Sequence, residues 1–102
     1  MKEKVFAFLK TVPFGKVVTY GQIARVIGNP NAARAVGNIL HQNPEPAVNP
    51  CYRVVNHKGE LSDHFAFGGK EAQQMLLENE GILVQDGRVD LNQYGWKTSF
   101  GP

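Results

Sequence analysis

Residues 19–37 read TYGQIARVIGNPNAARAVG, and this stretch predicts two short helices joined by a tight turn. Thr19 is a suitable N-cap, and Gln22, three residues later, completes a capping box. The first helix is therefore expected over about 20–27, with its aliphatic side chains facing inward. The sequence Gly28-Asn29-Pro30 interrupts the helical pattern and predicts the turn.

The second helix of the pair is expected over 32–42, with Asn31 as its cap. Apart from Arg34, its first half carries small side chains, so it fits a minor groove about 6 Å wide. Arg34 is then placed to enter the base stack where a base has been extruded. The alternative is that the small residues only permit close helix packing and that Arg34 is a solvated surface residue. The pair is a helix-turn-helix candidate, a motif also found in proteins that bind no DNA.

The rest of the chain predicts a mainly α fold with small β-hairpins. Amphipathic helices are expected over 2–11 and 69–80. One hairpin is expected to pair 51–55 with 60–61, and another to fold residues 82–91 around an Asp-Gly turn. The apolar stripe of the helix at 69–80 is expected to consist of Ala72, Met75, Leu76 and Leu77. Tyr94 and Trp96 are expected to pack back on the body.

Composition limits the class of protein. A length of 102 residues predicts one domain over 1–102, and 42% hydrophobic residues allow a modest core without disulfides. The net charge of +2 permits a nucleic-acid partner without demanding one. There is no apolar run of roughly 18 residues and no secretory signal, so no membrane partner is expected. One cysteine and no export signal indicate a cytoplasmic protein.

Cys51 is the candidate nucleophile. It follows residues 43–50, which contain three prolines that could hold the thiol in a fixed direction. A lone cysteine is more often a small buried hydrophobic residue, which is the alternative here. Dealkylation of a base requires a soft nucleophile, and a thiolate is the best one among side chains. Arg53 is expected either to stabilise that thiolate or to form a salt bridge with a carboxylate such as Glu80.

Several motifs, taken in order, resemble the DNA-binding domain of O6-alkylguanine-DNA alkyltransferases. They are PFGKVVTYGQIA at 13–24, GNPNAARAVG at 28–37, Asn43-Pro44 and PCYRVV at 50–55. The resemblance covers about residues 2–84 as a family core and leaves 85–102 as a C-terminal extension. It implies a winged helix-turn-helix domain that binds double-stranded DNA in the minor groove. It implies no cofactor, and with three scattered histidines and one cysteine no metal site is expected.

The resemblance also implies a role for individual residues. Cys51 matches the alkyl-accepting cysteine, and Arg34 matches the arginine that fills the gap left by the flipped guanine. Tyr20 matches the tyrosine that rotates the 3′ phosphate. Asn43 matches an asparagine hinge near the active-site turn, and Glu80 matches the acid that ends a proton relay. The catalytic set expected here also includes Tyr52, and the DNA-binding set also includes Ala33, Ala35, Gly37 and Arg53.

Tyr52 departs from the family pattern, in which a histidine follows the cysteine and takes its proton through a water. Histidine, with a pKa near 6.5, is a suitable base, whereas tyrosine, near 10, is a poor one at neutral pH. Tyr52 can still hold a water, and His57 or His64 are alternative bases. Residues 62–69 are about two residues longer than the usual active-site loop, and Phe65 or Phe67 within them could either line a lesion pocket or simply pack against the rest of the domain.

Three functions follow from these residues. The first is a DNA repair protein that flips O6-alkylguanine out of the duplex and transfers the alkyl group once to Cys51. The second is an alkyltransferase-like protein that binds alkylated DNA and recruits nucleotide-excision repair proteins without transfer. Such proteins usually replace the cysteine, so Cys51 favours the first function and Tyr52 the second. The third is a helix-turn-helix protein with no repair role.

Overall fold

The computed structural model describes residues 1–43, 49–62 and 68–97. Within these ranges the fold is mainly helical with small strand pairs, as predicted. No helix in the described part of the chain is long and apolar enough to cross a membrane. The elements in chain order are α1 (Lys2–Leu9), β1 (Val18–Thr19), α2 (Tyr20–Val26), α3 (Ala33–His41), a 3-10 turn (Cys51–Arg53), β2 (Val54–Val55), α4 (Gly69–Glu78), β3 (Val84–Gln85), β4 (Arg88–Val89) and α5 (Leu91–Tyr94).

The helices α2 and α3 form the predicted pair. Thr19 Oγ1 accepts a hydrogen bond from the Gln22 backbone N–H at 3.0 Å, which confirms the predicted N-cap. The Gln22 side chain donates to the carbonyl of Trp96 at 2.6 Å, so it joins α2 to the C-terminal segment. The predicted cap of α3 was wrong, because this helix starts after Ala32 and has no side-chain cap. The Ala32 N–H bonds to the Asn29 carbonyl, so the turn closes one residue beyond Asn31.

The strand pairing differs from the prediction in one place. The expected hairpin between 51–55 and 60–61 does not form, because β2 pairs in parallel with β1, with Val18 opposite Val54. Residue Glu60 instead bridges Arg88 of β4. This approach requires glycine at position 59, where φ is +82° and a Cβ would collide with the carbonyl of Val89.

The second predicted hairpin is confirmed and forms a small wing. The strands β3 and β4 pair antiparallel, with Val84 opposite Val89. Asp86 and Gly87 between them both have positive φ, 54° and 71°. Asp-Gly is the preferred sequence for a two-residue turn of this kind, because both central residues must adopt the left-handed region.

Two groups of buried side chains form the core, and Tyr52 packs against both. The first group lies among α1, α2 and α3 and includes Cys51. The second lies among β2, α4 and the wing, with Leu77 and Ile82 fully buried. The site described below therefore lies where the helix-turn-helix half of the molecule meets the wing half.

One side of α4 departs from the predicted apolar stripe. Met75 was expected to face inward but has 64% of its surface exposed. Gln73, two residues earlier, is buried at 1% exposure instead. Its amide finds partners in the core, because Nε2 donates to the carbonyls of Tyr52 and Val54 and Oε1 accepts from the Ser62 N–H. Burial of a polar side chain is tolerated where every group is bonded.

The C-terminal segment packs on the body, as predicted for Tyr94 and Trp96. The Val17 N–H donates to the Tyr94 carbonyl at 2.9 Å, and the Trp96 N–H donates to the Val17 carbonyl at 2.8 Å. The Trp96 ring stacks on Phe8, with 5.6 Å between the ring centroids. These contacts tie the segment that follows the wing to α1 and to the strand that precedes α2.

Candidate functional site

Cys51 begins the 3-10 turn directly after Pro50, and 7% of its surface is exposed. Its backbone N–H donates to the Asn49 carbonyl at 2.7 Å, which fixes the entry into the turn. Burial raises the pKa of the Cys51 thiol, while hydrogen bonds from the Asn43 side chain and from the backbone act in the opposite direction. The net shift is upward, so the thiol form dominates at neutral pH.

Asn43 and Asn49 are bonded to each other across the ends of the proline-rich segment. Asn43 Nδ2 donates to the Asn49 carbonyl at 2.7 Å, and Asn49 Nδ2 donates back to Asn43 Oδ1 at 3.3 Å. Both residues are buried. Asn43 therefore lies beside Cys51, while its role as a hinge stays a prediction. Asn49 was missed, because a contact between the two ends of a loop leaves no periodic signal in the sequence.

The Glu80 carboxylate accepts hydrogen bonds from three residues of the site. The Tyr52 hydroxyl donates to Glu80 Oε2 at 2.6 Å, and the Gly15 backbone N–H donates to Oε1 at 2.9 Å. Arg53 Nη2 pairs with Oε2 at 2.7 Å, and Arg53 Nε donates to both carboxylate oxygens. The remaining guanidinium nitrogen of Arg53 donates to the Val12 carbonyl at 2.8 Å. Of the two roles considered for Arg53, the salt bridge with Glu80 is confirmed.

These contacts set the protonation states of Tyr52 and Glu80. Burial favours the protonated form of Glu80, but hydrogen bonds from Arg53, Gly15 and Tyr52 outweigh it and lower the pKa of the carboxyl. Burial and the hydrogen bond to Glu80 raise the pKa of Tyr52 to about 12. At neutral pH Glu80 is therefore ionised and Tyr52 carries its proton. The contribution of Arg53 to DNA binding stays a prediction, and 14% of its side chain is exposed.

Tyr20 lies at the start of α2, beside both Ser62 and Cys51. Burial raises the pKa of the Tyr20 hydroxyl, a hydrogen bond with the Ser62 side chain lowers it, and the charge of Cys51 raises it further. Gly37 of α3 lies against the Tyr20 ring, because a Cβ at Gly37 would be 3.9 Å from it. The structure therefore brings Tyr20 and Cys51 together, while Ser62 was not predicted from the sequence.

Arg34 is exposed on α3, between the half-buried residues Ala33 and Ala35. It takes no part in the hydrogen bonds around Cys51 and Glu80 that join the described residues. The surface of α3 beside Arg34 is formed by small side chains, as the sequence indicated. The roles of Ala33, Arg34 and Ala35 in DNA binding stay predictions.

Two further expectations concern histidines and metals. His57 is exposed in the turn after β2. The residues His64, Phe65 and Phe67 lie outside the described part of the chain. Within 1–43, 49–62 and 68–97, no three His, Cys, Asp or Glu side chains are grouped as a metal site would require.

The site thus combines a buried cysteine beside a helix-turn-helix pair with a network of Tyr52, Arg53 and Glu80. Residues 1–82 match the family described as 6-O-methylguanine DNA methyltransferase, DNA binding domain. The chain belongs to this family. The methylated-DNA–protein-cysteine methyltransferase of Mus musculus is 43% identical over 81 residues, which is 79% of this chain and 38% of that protein. The aligned part of the chain thus spans well under half the length of this methyltransferase.

Shorter relatives align over most of their length. Alkyltransferase-like protein 1 of Schizosaccharomyces pombe is 38% identical over 100 residues. The alignment covers 92% of this chain and 92% of that protein. The crystal structure of S. pombe Atl1 in complex with damaged DNA containing O6-carboxymethylguanine superimposes with a TM-score of 0.84. It has 37% sequence identity, over 95% of this chain and 94% of that one. The similarity therefore extends past residue 82 into the wing and the C-terminal segment.

Proposed function

We propose that this protein binds duplex DNA, flips an O6-alkylated guanine towards Cys51 and holds it there without efficient alkyl transfer. The observation that carries the proposal is the hydrogen bond from the Tyr52 hydroxyl to Glu80. It supports binding over transfer because Tyr52, the residue after Cys51, keeps its proton and donates it in a hydrogen bond to Glu80. Tyr52 is therefore not available as a base for the thiol. A thiol that keeps its proton is a weak nucleophile.

The proton balance gives the physical reason. With a pKa of about 12, Tyr52 is ionised in about one molecule in a hundred thousand at pH 7. Glu80 is ionised, but its lowered pKa and its bond to Arg53 make it a weak base. Since the pKa of Cys51 is itself raised, neither Tyr52 nor Glu80 draws the proton from the sulfur.

DNA binding is assigned to α3 and the start of α2. Small side chains at 33, 35 and 37 let α3 approach a minor groove about 6 Å wide. Extruding a base costs a few kcal/mol of lost stacking, and an inserted side chain offsets part of it. Arg34 is the exposed cation on this surface, and the family resemblance gives it that role. Tyr20 lies between α3 and Cys51, where the phosphate of a flipped nucleotide would turn.

A protein that holds an alkylated base without removing the alkyl group contributes to repair by presenting the lesion to other proteins. Nucleotide-excision repair proteins are the partners expected from the family resemblance. A relative of similar length supports the binding step, since it was crystallised with damaged DNA containing O6-carboxymethylguanine.

Single-turnover transfer to Cys51 is the second candidate, and a specific contact favours it. The Asn43 side chain hydrogen bonds to Cys51 and lowers the pKa of the thiol against the effect of burial. In this reaction the thiol would lose its proton, the sulfur would attack the alkyl carbon and the carbon–oxygen bond would break. A proton would be taken up by the ring nitrogen of the released guanine, and a thioether would be left on Cys51.

Incubation with an oligonucleotide containing O6-methylguanine separates the two functions. The binding function predicts lesion-selective binding with no change in intact protein mass. A single methyl adduct that maps to Cys51, and is absent in Cys51→Ala, would establish transfer instead. Equal binding of damaged and undamaged duplex would refute both and leave a helix-turn-helix protein without a repair role.

A further inference from the structure

Asn49 is a buried amide with no partner for its oxygen. Among the described residues, Asn49 Oδ1 is the buried side-chain atom that lacks a hydrogen bond. An unpaired buried acceptor costs free energy, and an aliphatic side chain of similar size would avoid that cost. The amide at this position is therefore explained by its nitrogen, which donates to Asn43 Oδ1, and not by its oxygen.

Two of the bonds that Asn49 makes are to Asn43, and a third is from the Cys51 N–H to the Asn49 carbonyl. The Asn49 carbonyl accepts from Asn43 Nδ2, and the Asn49 amide nitrogen donates to Asn43 Oδ1. Together they fix which end of the Asn43 amide carries the nitrogen. A carboxamide NH2 has two hydrogens, so Nδ2 keeps a second donor after bonding the Asn49 carbonyl. The Asn43 side chain is also hydrogen bonded to Cys51.

We propose that Asn49 is a positioning residue for the thiol site, which holds the Asn43 amide with its nitrogen towards the sulfur of Cys51. The inference rests on the proposed function, in which the sulfur of Cys51 faces the flipped base. Asn49 does not touch the sulfur through its side chain. It acts on the sulfur through Asn43, and its effect is to stabilise the thiolate relative to the thiol.

Other groups around Cys51 act on the same equilibrium but not through this pair. Tyr20 of α2 is electrostatically coupled to Cys51. Tyr52, the next residue, is bonded to Glu80, and Glu80 is in turn paired with Arg53. None of these side chains bonds the Asn49 side chain in the described part of the chain, so a change at 49 reports on the Asn43 amide.

The test is the thiol pKa of the full chain, read from the Cβ chemical shift of isotope-labelled cysteine during a pH titration. Cys51 is the single cysteine, so the signal needs no assignment. Asn49→Leu keeps the bond to the backbone carbonyl but loses the donor to Asn43 Oδ1, so it should raise the thiol pKa by about half a unit, a roughly threefold loss of thiolate. Asn49→Asp, which cannot donate to Asn43 when ionised, should raise it further.

Stability in urea is measured as well, because a residue with a purely structural role would change the stability without changing the thiol pKa. Asn49→Leu removes an unpaired buried acceptor but also the donor to Asn43 Oδ1, so it should unfold at a similar or lower urea concentration than wild type. Asn56→Ala is the matched control: it removes an amide that bonds Glu60 and Lys58, so it should lower stability and leave the thiol pKa unchanged. An unchanged thiol pKa in Asn49→Leu would overturn the inference. The titration needs no DNA, so this outcome is separate from failure to bind a lesion.

Discussion

The Tyr52 hydroxyl lies 2.6 Å from Glu80 Oε2 and donates a hydrogen bond to it, one residue beyond the buried Cys51. This contact joins the 3-10 turn that contains Cys51 to the residues just after α4, and it keeps the Tyr52 hydroxyl protonated. It also holds the Tyr52 side chain where the two core groups meet. Five predictions follow from this contact, from the charges around it and from the surface of α3.

Replacing Tyr52 by histidine should supply the missing base. An imidazole with a pKa near 6.5 accepts a proton at neutral pH, and general-base catalysis contributes about a hundredfold or more. Tyr52→His should therefore increase the rate at which O6-methylguanine DNA adds a methyl group to the protein, measured by intact mass. Tyr52→Phe is the control, since it removes the hydroxyl without adding a base. Equal rates in wild type and Tyr52→His would mean that another group takes the proton.

Glu80→Gln should be strongly destabilising. Glu80 is 4% exposed at its side chain and Arg53 is 14% exposed, so the substitution leaves a largely buried guanidinium without its counter-charge. The expected loss in free energy of unfolding is about 3 kcal/mol or more, measured in urea. The matched control is Glu60→Gln, because the Glu60–Arg88 pair is exposed at 42% and 58% and should matter little. Similar losses in both variants would contradict the assignment.

The same pair predicts a dependence on pH. The folded pKa of Glu80 is lowered, so its contribution is fully present above the unfolded value, about 4.3, and is lost as pH falls through the folded pKa. The difference in unfolding free energy between wild type and Glu80→Gln should therefore be constant near neutral pH and shrink in acid. A difference that stays constant down to pH about 3 would show that folding does not lower the pKa of Glu80.

Arg34→Ala should weaken lesion binding by more than the loss of one charge. Removing a phosphate-neutralising cation lowers the salt dependence by about one unit of slope and affects all duplexes alike. Loss of a stack-filling side chain should in addition reduce the preference for O6-methylguanine DNA. Arg34→Lys separates the two effects, since it keeps the charge but not the planar guanidinium. If Arg34→Ala weakens damaged and undamaged duplex equally, Arg34 is only an electrostatic contact.

Gly37 should tolerate a methyl group and reject a larger one. A Cβ at this position would lie 3.9 Å from the Tyr20 ring, which is ordinary contact. Gly37→Ala should therefore raise the free energy of unfolding by up to about 1 kcal/mol, because alanine favours a helix over glycine. Gly37→Leu should displace the Tyr20 ring and reduce lesion binding, measured by fluorescence anisotropy. Full binding by Gly37→Leu would show that the position of this ring is not critical.

The sequence by itself determined the helix-turn-helix and the chemistry at its centre. Helical spacing, the Thr19 cap and the Asp86-Gly87 turn are local signals, because each depends on residues only a few positions apart. The identity of Tyr52 after Cys51 is also local, and it raised the question of the base before any contact was known. The motifs around these residues predicted the family to which the chain belongs.

Only the tertiary structure decided which residues Tyr52, Glu80 and Asn43 bond. Glu80 lies 28 positions from Tyr52 and meets it because β2 pairs in parallel with β1 and α4 packs beneath the turn. Spacing also predicted Met75 inside and gave no sign of Gln73, whose burial depends on carbonyls supplied by another part of the chain. Partners of this kind are set by long-range packing. Cys51 was therefore identifiable from the sequence, whereas its protonation state required the packing around it.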